Sequence, residues 1–203
     1  MTNRGVVAGG RELPRKTLHL TTMSVPVGLS LGVPQRTVAL ALLALFGVAC
    51  GVEFARRRSR RFGAFFEGTF GSLLRPHERH RGITGATWLL AAFALTTLAA
   101  PPAAAIAATW AGAVGDGTAA LAGRAWRQRH PGSGKTLAGS LACLVSTAAG
   151  AWWLAGFAAA AAAGLGAVAA GAERPGVAVD DNLRVTLAVA LAAALFLASA
   201  TPG

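Results

Sequence analysis

Residues 37–54 read TVALALLALFGVACGVEF, with Glu53 the one charged side chain among them, and the run Arg56-Arg57-Arg58-Ser59-Arg60-Arg61 follows almost at once. A helix of about 18 residues rises roughly 27 Å, close to the ~30 Å hydrocarbon thickness of a bilayer. A cluster of arginines directly after such a block marks the end retained at the cytoplasmic surface. This stretch decides the fold class, because it reads as a membrane-spanning helix rather than as the core of a soluble domain.

Outward from it, similar blocks recur at 17–33, 83–100, 103–123, 137–154, 157–172 and 183–200. The whole chain of 203 residues is 54% hydrophobic and 13% charged, about half the charged share of a soluble domain. The expected fold is all-α: a polytopic integral membrane protein of about seven transmembrane helices in one membrane domain, 1–203. Residues 1–16 form a tail and 55–82 the longest loop, which leaves no room for a separate soluble domain. Block 17–33 is the least apolar, with His19 and Pro26, and 157–172 is short and rich in Ala and Gly. With seven spans, 18 of the 19 basic residues fall on one side and Arg36 alone on the other. Short loops rich in Lys and Arg stay in the cytoplasm, so the N-terminus and loop 55–82 are expected there and the C-terminus outside. That alternation depends on the weak block 157–172.

The formal charge of +11 does not point to nucleic acid, because the basic residues punctuate apolar runs instead of covering a polar face. Cys50 and Cys143 sit inside apolar blocks with no CxxC or Cys/His cluster, and read as packing residues. No small-x-small cleavage site follows Arg15-Lys16 before Gln35, so residue 1 is expected in the mature protein. In loop 55–82, Phe62, Phe65, Phe66, Phe70, Leu73 and Leu74 recur at spacings that include three and four. That predicts an amphipathic helix on the cytoplasmic leaflet, its arginines facing anionic lipid.

The eight acids are Glu12, Glu53, Glu67, Glu78, Asp116, Glu173, Asp180 and Asp181. All fall on the expected cytoplasmic side or in the cytoplasmic end of a span, which suggests a site. Asp116 lies inside block 103–123. A carboxylate there costs at least a few kcal/mol unless paired, protonated or metal-bound; a structural ion pair with a neighbouring arginine is the plain alternative. Gly112, Gly115, Ala119, Ala120 and Gly123 around it let a helix or ligand approach closely.

Glu12, Arg15, Lys16 and His19 share one stripe if their segment is helical, with Pro14 tolerable in the first turn. Two cations can hold phosphate oxygens, and a histidine can bond a hydroxyl or take its proton; an interface anchor is the alternative. Gly132-Ser133-Gly134-Lys135-Thr136 falls short of a Walker A loop, since Arg129 stands where its first glycine belongs and no strand precedes it. A glycine turn, Lys135 and a helix starting near Thr136 still favour an anion. Glu173 and Asp180-Asp181-Asn182, together with Asp116, supply oxygen ligands that suit Mg²⁺.

Taken in order, these strings resemble the CTP-dependent lipid alcohol kinase family of dolichol kinase, phytol kinase and CTP-dependent diacylglycerol kinase. Glu12-x-x-Arg15-Lys16-x-x-His19 is similar to its opening motif, and Glu53-x-x-Arg56 to the pair that ends its next helix. Thr84-Gly85-Ala86-Thr87-Trp88 resembles the start of its third segment, and Gly115 through Arg124 its Asp-containing helix. Gly134-Lys135-Thr136-Leu137-Ala138-Gly139-Ser140 resembles its Gly-Lys-Thr-x-x-Gly-Ser segment, and Asp181-Asn182-Leu183 its closing Asp-Asn. Ala138 stands where the family commonly has an acid, and Thr186 where it has Pro. The resemblance implies transfer of the terminal phosphoryl group of CTP to an isoprenoid alcohol or diacylglycerol at the cytoplasmic membrane face. Under it, Asp116, His19 and Lys135 are expected in the chemistry, His19 or Asp116 being the base. Mg²⁺ is expected on Asp116 and Asp181 with Glu173 or Asn182 assisting, and phosphates on Lys135, Arg15 and Lys16. Glu12, Glu53, Arg56, Thr84, Gly85, Thr87, Gly134, Thr136, Ser140 and Asn182 are expected to contact substrate.

Among alternatives, a CDP-alcohol phosphotransferase signature begins like Asp116-Gly117 but needs Ala-Arg three residues on and two more acids at short spacing, which are absent. A phosphatidate cytidylyltransferase also uses CTP and Mg²⁺, but its Lys-Arg and Lys-Asp run before the final loop is missing. A small transporter or scaffold would place polar groups near the midplane, often in repeated halves; no repeat is evident here.

Overall fold

The computed structural model describes residues 19–79, 82–126, 136–173 and 179–200, and these are helical with no strand among them. In chain order the elements are α1 (Ser24–Ser30), α2 (Gln35–Arg58), α3 (Arg60–Phe70), α4 (Pro76–Arg79), α5 (Gly85–Ala99) and α6 (Pro102–Trp110). A π-helical turn (Ala111–Gly115) then leads into α7 (Asp116–Trp126), followed by α8 (Leu137–Trp153), α9 (Ala159–Glu173) and α10 (Asp181–Ala200). The expected all-α class is what the structure has.

Helices α2 and α10 are long and apolar enough to cross a membrane; α5, α8 and α9 are apolar but shorter. Neither long helix is a buried core helix, since only 17% of the apolar window of α2 and 28% of that of α10 is buried. Leu40, Leu43, Val48 and Phe54 on α2, Val145 and Trp152 on α8, and Leu191 and Leu195 on α10 all stand exposed. In water such an apolar exterior would be unfavourable by roughly 25 cal/mol per Å². Block 17–33 does not make one long helix over its described part. Residues 22–23 form a turn, where the Thr22 hydroxyl donates to the His19 carbonyl at 2.6 Å, and α1 stops at Leu31.

The interior is built from small side chains. Ala104, Ala107, Ala108, Ala111, Ala151, Ala162, Ala169 and Ala193 are buried around Leu165, Val185 and Val189. Helices meet this closely because glycines face their neighbours: a Cβ on Gly150 would lie 2.1 Å from the Trp110 ring, and one on Gly166 2.4 Å from the Leu144 carbonyl oxygen. Trp110 lies over that gap and donates its indole N–H to the Ser146 carbonyl at 2.8 Å. Some buried threonines turn their hydroxyls onto their own helix, as Thr109 does to Ala105 (2.7 Å) and Thr186 to Asn182 (2.8 Å).

Two polar clasps collect helix ends at one end of the bundle. In the first, Glu53 accepts from Arg56 Nε (2.7 Å), from Arg57 (3.2 Å) and from the backbone N–H of Thr84 (2.8 Å). Arg56 in turn donates to the carbonyls of Glu78 (2.9 Å) and Gly82. In the second, Arg75 bridges to Asp180 and Asp181 at the start of α10, at 3.1 Å each. Arg184 caps the last carbonyls of α9 by donating to Ala172 and Glu173. At the other end Gln35 donates to the carbonyls of Thr97 (2.8 Å) and Ala100 (2.9 Å), joining α2 to the end of α5. Segments 55–79, 82–84 and 179–180, which the charge pattern places on one side, therefore lie together.

Candidate functional site

Beside the start of α7, a pocket of about 280 Å³ opens among five segments. His19 and Thr22 line it ahead of α1, Thr84, Gly85 and Leu89 at the start of α5, Asp116 at the start of α7 and Asn182 at the start of α10. Phe66, Phe70, Leu73, Leu74, Arg75 and Glu78 complete it from the stretch that begins in α3.

Asp116 is placed by the π turn. Its backbone N–H reaches back five residues to the Ala111 carbonyl, in place of the four-residue bond of an α-helix. The Gly112 carbonyl accepts instead from His19 Nε2, at 2.7 Å. A carbonyl can only accept, so Nε2 is the protonated nitrogen of that ring. The same Nε2 lies 3.6 Å from Asp116 Oδ2, with both side chains largely buried. Glycine is required here for close approach: a Cβ on Gly112 would lie 2.3 Å from Thr186 Oγ1, and one on Gly115 2.7 Å from Thr147 Oγ1.

Asn182 closes the other side. Its backbone N–H donates to Asp180 Oδ1 (3.0 Å), and its side-chain Nδ2 donates to the Gly85 carbonyl (3.2 Å). That bond fixes the amide orientation and leaves Oδ1 buried with no hydrogen-bond partner in the wall of the pocket. Glu78, 3% exposed, accepts from the backbone N–H of Arg75 (2.8 Å) and of Gly85 (3.0 Å), so it braces the segment across the pocket.

Burial works against the charge of Arg75, but the carboxylates of Asp181 and Asp180 outweigh it and raise the guanidinium above its ordinary pKa. Burial, and then the adjacent Asp181 charge, raise Asp180 above the ordinary 3.8, against the pull of Arg75. A carboxyl that holds its proton more tightly folded than unfolded makes stability fall as pH rises from its ordinary value to its raised one. Asp180→Asn is therefore expected to flatten that decline in thermal unfolding midpoints taken in a neutral detergent from about pH 4 upward. Parallel profiles for the two proteins would show that Asp180 is not the group responsible.

The structure brings His19, Thr84, Gly85, Asp116 and Asn182 of the expected site residues to one pocket. Glu53, Arg56 and Thr87, expected at substrate, are spent on one another and on Thr84; Thr87 Oγ1 donates to Glu53 at 3.4 Å. Thr136 caps α8 by accepting from the Gly139 N–H (3.0 Å), and Ser140 is buried outside the pocket wall. Of the expected metal ligands Asp116, Glu173 and Asp181, Asp116 lines the pocket. Asp181 pairs with Arg75, neither it nor Glu173 lines the pocket, and no three His, Cys, Asp or Glu among the described residues gather to hold a metal. Glu12, Arg15, Lys16, Gly134 and Lys135 lie outside the described residues. Sequence reasoning passed over Arg75, whose signal is the Arg75-x-x-Glu78 pair in an otherwise basic and apolar loop.

An all-helical chain, with two helices fit to cross a membrane and a mostly apolar pocket around a buried carboxylate, is the class that fold and site define. Comparison with protein-family models, with curated proteins and with solved structures finds no match.

Proposed function

We propose that this chain is a multi-pass membrane lipid kinase that moves the terminal phosphoryl group of CTP to the hydroxyl of a membrane alcohol. The observation that carries this reading is the pocket itself, where Asp116, His19 and Asn182 meet an apolar wall at the end of the bundle that gathers the basic loop. A lipid hydroxyl and a nucleotide phosphate have to meet at such a boundary, because one partner lives in hydrocarbon and the other in water. The resemblance of the six ordered motifs to the CTP-dependent lipid alcohol kinases supplies the nucleotide; no geometry here reads cytosine.

In the proposed step the alcohol oxygen attacks the γ-phosphorus, the bond from that phosphorus to the β-γ bridging oxygen breaks, and CDP leaves. The hydroxyl proton passes to the Asp116 carboxylate. His19 serves as the orienting partner of Asp116, since its Nε2–H is committed to the Gly112 carbonyl. Mg²⁺ fits the oxygens present: Asp116 and the unpartnered Asn182 Oδ1 make a small hard-donor set, and such a set holds Mg²⁺ when phosphates and water complete it. Bound there, the ion would neutralise charge on the phosphates. Lys135, Arg15 and Lys16 remain the proposed phosphate cations.

Seven spans, a cytoplasmic N-terminus and an external C-terminus belong to the same proposal. Support comes from the exposed apolar sides of α2, α8 and α10 and from Trp152 and Trp153 at the end of α8 away from the pocket, as in an interfacial aromatic belt. Arg58, Arg60 and Arg61 at the near end, all exposed, would face anionic lipid.

The test is transfer by the purified protein in mixed lipid micelles with Mg²⁺, γ-labelled CTP or ATP, and phytol, geranylgeraniol, a dolichol or diacylglycerol. Label entering one alcohol from CTP and not from ATP is expected. CDP-lipid formed from phosphatidate would replace the kinase reading with cytidylyltransferase, and no turnover would end it.

A further inference from the structure

Helix α3 carries four phenylalanines, yet none of its residues is buried, and its main packing partner is the end of α2. It begins at the Ser59 cap, whose Oγ accepts from the Phe62 N–H at 3.3 Å, and is steadied by Arg56, whose guanidinium lies 5.6 Å from the centre of the Phe66 ring. The Phe66 and Phe70 rings pack at a tilt of 45° with centres 5.1 Å apart, and both line the pocket. Leu73 and Leu74 extend the same wall, and Arg75 then locks the segment to Asp180 and Asp181. The wall is thus drawn from one stretch, 66–74, pinned at both ends, which turns Phe66, Phe70, Leu73 and Leu74 to the pocket.

Something has to cover that wall. The arginine run at the end of α2 places α3 at a membrane boundary, where an amphipathic helix sets its apolar side into the acyl region. The pocket beneath ends on a carboxylate, an imidazole and a buried amide oxygen, groups that accept from or orient a hydroxyl. An occupant that satisfies both ends is an amphiphile with a hydroxyl at its tip and a hydrocarbon tail.

We propose that residues 66–74 form the acceptor-chain subsite, in which one hydrocarbon chain of a single-chain membrane alcohol lies against Phe66, Phe70, Leu73 and Leu74 with its hydroxyl toward Asp116. The proposal rests on the kinase reading for what happens to that hydroxyl, but not for its binding. A volume of about 280 Å³ lies just below the ~300–1,000 Å³ of ordinary small-molecule pockets. It admits the head and first part of one chain and leaves the remainder in the bilayer. Two predictions about ligands result: chain length beyond the first isoprene units has little effect, and a second acyl chain next to the hydroxyl, as in diacylglycerol, is excluded.

The test uses the full chain in phosphatidylcholine vesicles with a long-chain primary alcohol carrying a diazirine a few carbons from its hydroxyl. After irradiation, adducts are mapped by mass spectrometry. Adducts concentrated in 66–74, suppressed by excess geranylgeraniol or phytol and not by diacylglycerol, are expected. Equal suppression by diacylglycerol overturns the single-chain assignment. Adducts spread over α2 and α10 without competition overturn the subsite. Turnover gives a second arm: Leu73→Ala and Phe70→Ala should raise KM for the alcohol about tenfold, with KM for CTP unchanged. Competed adducts in 66–74 without any transfer from CTP would leave the subsite standing and remove the kinase reading, so the two fail separately.

Discussion

Asp116→Asn is expected to lower phosphoryl transfer by about 10²–10⁴-fold, the range over which a positioned acid–base group acts, while the protein folds and extracts from membranes as before. Asparagine keeps the shape and one acceptor oxygen, and Asp116 is 3% exposed, so a larger side chain there would test packing rather than charge. What asparagine removes is the ability to take the hydroxyl proton or neutralise a cation beside the phosphates. His19 provides the graded control. His19→Gln still offers an amide N–H to the Gly112 carbonyl, whereas His19→Ala leaves that carbonyl without its 2.7 Å bond. The glutamine variant should retain clearly more activity than the alanine variant if His19 orients Asp116. Equal loss in both would make the imidazole itself the base, and Asp116→Asn within about threefold of wild type would remove Asp116 from the chemistry.

The second large effect is on stability. Arg56→Ala should destabilise the protein by about 3–5 kcal/mol, the usual cost of leaving a buried partner charge uncompensated. Arg56 and Glu53 have side chains 6% and 9% exposed and bond each other at 2.7 Å, and through the Glu78 and Gly82 carbonyls and the Thr84 N–H they hold the end of α2 to its neighbours. For a chain near 200 residues this corresponds to roughly 10 °C in the thermal midpoint. The pair Glu53→Gln with Arg56→Met should lose much less than Arg56→Ala alone, because no lone buried charge remains. A loss of under about 1 kcal/mol in Arg56→Ala would mean that Arg57, 3.2 Å from the same carboxylate, takes over.

Much of the molecule was legible in the sequence because hydrophobic runs and charge asymmetry are local properties. The run 37–54 ending in arginines becomes α2, and the helix expected to start near Thr136 begins there, capped by that residue. Phe62, Phe65, Phe66 and Phe70, at helical spacing, lie on the separate helix α3. What the sequence does not show is partners. Glu53, Arg56, Thr87 and Thr136 carry the right chemistry for a substrate, and in the fold Glu53 bonds Arg56 and Thr84, Thr87 bonds Glu53, and Thr136 caps its own helix. Asp181 has the chemistry of a metal ligand, yet Arg75, 106 positions earlier, meets it first.

Composition and periodicity by themselves determined that the chain is helical and that its apolar blocks suit a bilayer. Burial of apolar surface and the helix period act within a few turns of one segment, so they can be read along the chain. Only the tertiary structure decided which polar groups share a pocket, that Asp116 follows a π turn whose Gly112 carbonyl turns to His19, and that Asn182 keeps an unpartnered oxygen there. Such pairings depend on how closely glycine and alanine let helices approach, a property of two surfaces at once that neither sequence segment carries alone.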